Sequence, residues 1–245
     1  FCIVVGAWLV SCFVGMFPYL MWGGEFTIIN AWFESVSGFT TTGASIVTDV
    51  GALSHSVLFW RSFSHWIGGM GVLVFILAII PESKDGSSVF LMKAESTGPN
   101  VGKLVSKMQV TSRILYLIYL GLTVTEFILL VVGPDGKMGV FESLIYTFGT
   151  AGTGGFGMHA DSIGSFTPYS QYVIAIFMII FGINFSLFYL ILLGKVKEVF
   201  KNEELRTFII KVIVSIIIIT FNVYTTFKNT IFQYTFEESF RHAYF

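Results

Sequence analysis

Charge is scarce in this sequence, cysteine is nearly absent and proline is rare. Only 12% of its 245 residues are Asp, Glu, Lys or Arg, against roughly 25% in a soluble globular domain. Hydrophobic residues make up 54% and mean hydropathy is +0.79. A water-soluble core of this size could not hide so much apolar surface, so lipid must cover part of it. A net charge of −1 argues against a nucleic-acid partner, which would want a basic face. The two cysteines, Cys2 and Cys12, lie in one apolar run. On one helix their ten-residue spacing is about 15 Å, beyond the roughly 7 Å reach of a disulfide, so they read as packing or lipid-facing residues. No nucleophile, Walker or Rossmann motif appears. An intramembrane enzyme would need paired catalytic groups at depth, and only His65 and Glu126 qualify, on different spans.

Five apolar runs approach the roughly 20 residues that a bilayer demands. They are Phe1 to Trp22, Ser56 to Ile80, Ser112 to Val132, Ser170 to Gly194, and Thr207 to about Phe227. Pro81 closes the second and Gly133-Pro134 the third. Within the fifth, Val212 to Thr220 is rich in β-branched residues, which alone suggests strand. Its place inside a longer apolar run predicts a helix instead. The first run has no charged leader or cleavage site, so it does not read as a signal peptide, and both chain ends read as truncations.

Basic charge collects in two connections. Residues 81–111 hold Lys84, Lys93, Lys103 and Lys107, and residues 195–206 hold Lys195, Lys197, Lys201 and Arg206. Both are expected on the cytoplasmic side. The intervening connections then lie outside, and two contain a moderately apolar stretch too short to span: Phe26 to Phe39 and Met138 to Ala151. A short helix followed by a Gly/Thr-rich segment between two spans is the pattern of a re-entrant loop. Such backbone is tolerated at membrane depth only where protein buries it or where it lines a water-filled cavity.

The pattern repeats. Phe33-Glu34-Ser35 and Phe141-Glu142-Ser143 are expected to open the two short helices, and Phe236-Glu237-Glu238-Ser239 gives a third copy after the fifth run. Thr40-Thr41-Thr42-Gly43-Ala44 follows the first copy and Gly152-Thr153-Gly154-Gly155-Phe156 the second. Glu142 to Gly155 is four residues longer than Glu34 to Gly43, which one extra helical turn would absorb. The expected organisation is a first helix–loop–helix unit at 1–80, a cytoplasmic linker at 81–111, a second unit at 112–194, a linker at 195–206, and the start of a third unit at 207–245. Units of one orientation are related by an axis along the membrane normal, which is where a pore would run.

A potassium ion leaves water when oxygen dipoles replace its hydration shell, and selectivity filters supply them as rings of backbone carbonyls. Glycine permits the left-handed backbone angles that such a loop requires, which singles out Gly43 and Gly155. Threonine adds a hydroxyl. The negative ends of the preceding short helices would favour a cation. A plain polar turn is the alternative for one copy; two copies in corresponding places favour the filter.

Phe33 to Ser45 (FESVSGFTTTGAS), Trp60 to Gly71 (WRSFSHWIGGMG) and Gly152 to Gly164 (GTGGFGMHADSIG) resemble the Trk/Ktr family of potassium-uptake membrane subunits, closer to its TrkH branch. Lys93-Ala94-Glu95 with Gly98-Pro99 fits that branch, and the resemblance covers nearly the whole chain. It implies an all-α membrane protein built from repeated helix–re-entrant pore loop–helix units, a K+-channel-like pseudo-four-fold architecture that is incomplete here. It also implies potassium as the transported ion, no cofactor, a homodimer, and a cytosolic nucleotide-binding regulatory subunit of RCK type, TrkA-like, in a bacterial plasma membrane. Carried over, Thr41, Thr42, Gly43 and Ala44 line the filter in the first unit, and Thr153, Gly154, Gly155 and Phe156 in the second. The third filter loop would follow Phe245, and the family's gating loop and fourth unit would follow that. A sodium-conducting or sodium-coupled relative is the neighbouring reading, and a non-conducting membrane subunit belongs to another class.

Several residues outside the loops have two readings each. Arg61 and His65, four apart on one helix face, could tune the potential at a pore mouth. The position near a helix end favours Arg61 as an interfacial anchor and His65 as a hydrogen-bond partner of a neighbouring helix. Gly68-Gly69-Met70-Gly71 could hinge, although small residues more often let helices approach closely. Glu126 is an intramembrane carboxylate, functional by default, or else a buried hydrogen-bonding group. Asn184 faces a water-filled cavity or bonds between helices. His159 and Asp161 could attract cations in a vestibule; a metal site lacks further ligands at spacing.

Overall fold

The computed structural model describes residues 2–71, 108–133, 138–159, 161–227 and 235–243. Every regular element among them is helical. Helices α1 (Cys2–Gly15) and α2 (Phe17–Trp22) run in sequence, and Val4–Trp22 is long and apolar enough to cross a membrane. The short helix α3 (Ile28–Phe39) follows, then an extended loop, a 3-10 turn at Val50–Ala52, and α4 (His55–Gly69). The second set is α5 (Met108–Val132), α6 (Val140–Ala151) and α7 (Pro168–Phe181). The chain continues through α8 (Phe185–Leu192), α9 (Val196–Lys201), α10 (Glu203–Phe227) and the short α11 (Phe236–His242).

Local chemistry sets where these helices begin. Thr27, Ser54, Thr167 and Thr235 each precede a helix in extended conformation, and their side chains accept the N–H of Asn30, Val57, Ser170 and Glu238. Each cap satisfies a donor that the first turn would otherwise leave free. In α10 the β-branched run is helical throughout. Bilayer-spanning backbone must satisfy its own hydrogen bonds, and that demand overrides strand propensity.

Three expectations change. The fourth apolar run is two helices, α7 and α8, whose axes differ by 86°. Gly182 closes the first and Asn184 caps the second, accepting the Ser186 N–H at 3.0 Å. In the second run the described helix stops at Gly69, and Gly71 has φ +81°; the remainder, with the basic stretch 81–107, lies outside the described residues. Lastly, the two short helices have equal length. Ile28–Phe39 and Val140–Ala151 are 12 residues each, and Ile28 to Val140 is 112 positions. No extra turn exists. Phe33-Glu34-Ser35 lies in the middle of α3, while Glu142 stands in the first turn of α6, where its carboxylate accepts the Gly139 N–H at 2.8 Å. The tripeptides match in letters but not in register.

Helix α4 lies between the two short helices and packs on both α3 and α6. Phe59, Phe63 and Trp66 share one face of α4, and all three rings meet Phe148 of α6 at 5.7–5.9 Å between centroids. Gly68 and Gly69 let the helix ends come close. A Cβ on Gly68 would overlap the Phe39 carbonyl, and one on Gly69 would stand 2.8 Å from the Ala151 carbonyl oxygen. These glycines are sites of tight packing. Helix α11 packs on α7 through polar side chains, with Arg241 donating to Gln171 at 3.0 Å and Tyr172 to Glu237 at 2.9 Å.

Candidate ion-path loops and their brace

Each short helix ends in the same backbone turn. Thr40 and Gly152 cap the helices. Thr41 (φ +54°) and Thr153 (φ +57°) come next, and Gly43 (φ +74°) and Gly155 (φ +78°) stand two residues on. All these pairs are 112 apart. Left-handed conformations are costly for a residue with a Cβ, so a threonine there must be held by its surroundings. The Thr41 N–H donates to Gly38 and the Thr153 N–H to Thr150, at 3.1 and 2.8 Å. The loops are also tied back to their own helices, the Thr42 N–H donating to the Ser37 carbonyl at 3.0 Å and the Gly155 N–H to the Gly149 carbonyl at 3.1 Å.

The two loops meet. A Cβ on Gly43 would overlap the Gly154 carbonyl oxygen, and a Cβ on Gly154 would overlap the His65 ring and come within 2.8 Å of the Thr41 carbonyl. Residues over a hundred positions apart are therefore in close backbone contact. At the end of each loop the carbonyl turns back toward its own helix. The Ser37 hydroxyl donates to the Ala44 carbonyl, and at the matching place Gly149 leaves room for the Phe156 carbonyl, which a Cβ there would overlap. Thr42, Thr153 and Gly155 are at least partly exposed, and Phe156 is buried.

Behind the loops lies a polar brace. Glu34 is fully buried. Its Oε2 accepts the Ile46 N–H at 3.2 Å, and its Oε1 accepts the Ser45 hydroxyl at 2.9 Å and Arg61 Nε at 2.8 Å. The matching residue of the second unit is Tyr146, whose hydroxyl accepts the Met158 N–H at 3.3 Å and donates to the Ser162 carbonyl at 2.8 Å. Ile46 and Met158 are again 112 apart. Arg61 is 2% exposed, so the expected interfacial anchor is instead a buried ion pair. The His65 ring packs against Phe156 with its plane tilted by 49° and 4.0 Å between centroids, and its ring nitrogens have no hydrogen-bond partner among the described residues. The expected interhelical bond is not formed among the described residues.

Asn184 sits at the α7–α8 break and donates to Glu204 at 3.4 Å. Glu126, on α5, is fully buried, with neither oxygen hydrogen-bonded among the described residues. His159 lies 3.7 Å from Glu142. No group of three potential metal ligands gathers among the described residues. Sequence reasoning missed Tyr146 and Ser45 as brace residues, because a tyrosine replacing a glutamate leaves no motif to match.

Comparison with known proteins places this architecture. The family model for TrkH, described as a cation transport protein, matches residues 1–241. The chain belongs to the TrkH family. The family is one of transport proteins rather than enzymes, and the chain is a multi-pass membrane protein. It is 36% identical over 247 residues to the Trk system potassium uptake protein TrkH of Escherichia coli K12, covering 97% of this chain and 50% of that protein. It is 32% identical over 251 residues to the Trk system potassium uptake protein TrkG of the same strain, covering 100% of this chain and 50% of that protein. The crystal structure of the potassium transporter TrkH from Vibrio parahaemolyticus superposes with a TM-score of 0.75 at 25% identity, covering 97% of this chain and 47% of that one. The chain thus spans about half the length of these TrkH-family relatives.

Proposed function

We propose that this chain forms part of a potassium-uptake conduit in a bacterial plasma membrane. The paths of Thr41–Gly43 and Thr153–Gly155 contribute two sectors of the ion filter, and Ala44 and Phe156 close each loop. The observation that carries this reading is the meeting of two loops with one backbone pattern, each led by a short helix. Carbonyls turned toward a shared axis replace the hydration shell of an ion, and the carbonyl ends of α3 and α6 favour positive charge there. Relatives named as Trk potassium uptake proteins support potassium as the cargo.

A complete ring needs more sectors than these two loops, so residues 1–80 and 112–194 act as units of a larger pore, with 207–245 entering a third. The relatives' designation as a Trk system supports a multi-component assembly. In it this chain pairs as a homodimer and meets a cytosolic nucleotide-binding regulatory subunit.

The test uses the full-length parent protein in cells lacking potassium uptake. Rubidium uptake is expected to be rapid and to vanish in Gly43→Asp while the protein stays in the membrane. Uptake unchanged by that substitution would remove Gly43 from the filter, and sodium uptake in place of rubidium would reassign the cargo.

A further inference from the structure

Arg61 makes more polar contacts than any expected role required. Besides Nε on Glu34, its Nη2 donates to Ser45 Oγ at 3.0 Å and its Nη1 to the Gly157 carbonyl at 3.4 Å. Its Cζ lies 4.3 Å from the centroid of the Phe156 ring. Glu34, Ser45 and Ile46 belong to the first unit, and Phe156 and Gly157 to the second. Ser45 is fully used: it donates to Glu34 and accepts from Arg61 and from the Val47 N–H. One guanidinium therefore ties the strand leaving the first loop to the strand leaving the second.

We propose that Arg61 is a positioning residue that fixes the two loops in one register, and that discrimination between potassium and sodium depends on its fork-shaped guanidinium. The inference rests on the filter reading above. A lone buried cation beside a cation path would repel the ion. Glu34 cancels that charge at 2.8 Å, so Arg61 contributes geometry without a net field. Only arginine fits this role, because its planar donors reach three acceptors in fixed directions while lysine offers a point charge on a flexible stem. The brace is also unequal between the units. The first loop hangs from a carboxylate and the second from a tyrosine hydroxyl, and Arg61 is the link that makes them move together.

The experiment takes the full-length protein in potassium-uptake-deficient cells, with membrane amounts matched. Rubidium and sodium uptake are measured for the unsubstituted protein, Arg61→Lys, Ser45→Ala and Gly43→Asp. Arg61→Lys keeps the charge opposite Glu34 but loses the fork. It should reach the membrane and lose about tenfold in rubidium-over-sodium preference, equal to about 1.4 kcal/mol between the two ions. Ser45→Ala, which removes one strut, should lose preference in the same direction by less. A purely structural role would lower the amount of protein or both fluxes together and leave their ratio alone. An unchanged ratio in Arg61→Lys, with Gly43→Asp inactive, overturns the proposal and spares the filter reading. If Arg61→Lys fails to accumulate, an unchanged ratio in Ser45→Ala overturns it equally. Full uptake in Gly43→Asp sinks the filter reading and this proposal with it.

Discussion

Tyr146 holds in the second unit the place that Glu34 holds in the first, and each side chain accepts the backbone N–H of the residue twelve positions on. A carboxylate and a phenol thus play the same part, anchoring the strand that leaves a loop to the helix that leads into it. Tyr146→Phe keeps the ring in its apolar cluster with Leu130, Phe166 and Ile174 and removes only the oxygen. The Met158 N–H and Ser162 carbonyl then lose their partner, which should cost about 1–3 kcal/mol. A lower melting temperature for the purified full-length protein checks this; melting unchanged from the parent would mean that water replaces the phenol without loss.

Gly154 offers a sharper test of how closely the loops meet. Its φ is not left-handed, so alanine there is acceptable to the backbone; what alanine meets is the His65 ring and the Thr41 carbonyl. Gly154→Ala should therefore abolish most rubidium uptake by steric displacement, with overpacking costing about 1–3 kcal/mol. Truncating the ring in a Gly154→Ala, His65→Ala double variant should restore part of the uptake. A double variant as inactive as the single one would place the damage at the Thr41 carbonyl instead.

Hydropathy and turn chemistry act locally, and there the sequence is legible. The apolar stretches place the ends of the short helices at Phe39 and Ala151, and both end there. Gly43 and Gly155 stand out as residues suited to left-handed backbone, and both adopt it. A letter match is a poorer guide to geometry. Phe-Glu-Ser occurs in both short helices, yet the structural register is set by the loops, which align Glu34 with Tyr146 and leave Glu142 as a cap. Nor does composition reveal that Arg61 is buried. An arginine near a helix end looks the same whether it meets headgroups or a glutamate 27 positions upstream. The 86° break is hidden because Gly182-Ile183-Asn184 is apolar enough to continue a span, and only the cap at Asn184 marks it.

Phe148 joins the two units through three rings of α4. Removing it in Phe148→Ala opens a cavity against Phe59, Phe63 and Trp66, and a phenylalanine truncation of this kind costs about 3 kcal/mol or more. Phe148→Leu fills most of the volume and should cost under half as much. Denaturation of the full-length protein in mild detergent ranks the two; equal loss in both variants would point to ring-on-ring geometry rather than volume as the source of the stability.

Asn184 makes a two-sided prediction at the broken span. Its Oδ1 caps α8 through the Ser186 N–H, and its Nδ2 reaches Glu204 at the start of α10. Asn184→Ala loses both bonds, and loss of the cap alone costs about 1 kcal/mol. Asn184→Asp retains the acceptor for Ser186 but sets a second carboxylate against Glu204. Hydrogen exchange at the backbone of residues 182–186 should quicken in Asn184→Ala and stay near the parent rate in Asn184→Asp, because the cap holds the turn. The contact with Glu204 should weaken in both, which exchange at the first turn of α10 reports. Slow exchange at 182–186 in Asn184→Ala would show that the break is held by the packing of Gly182 against Phe208, 3.0 Å from a Cβ placed there, and not by the cap.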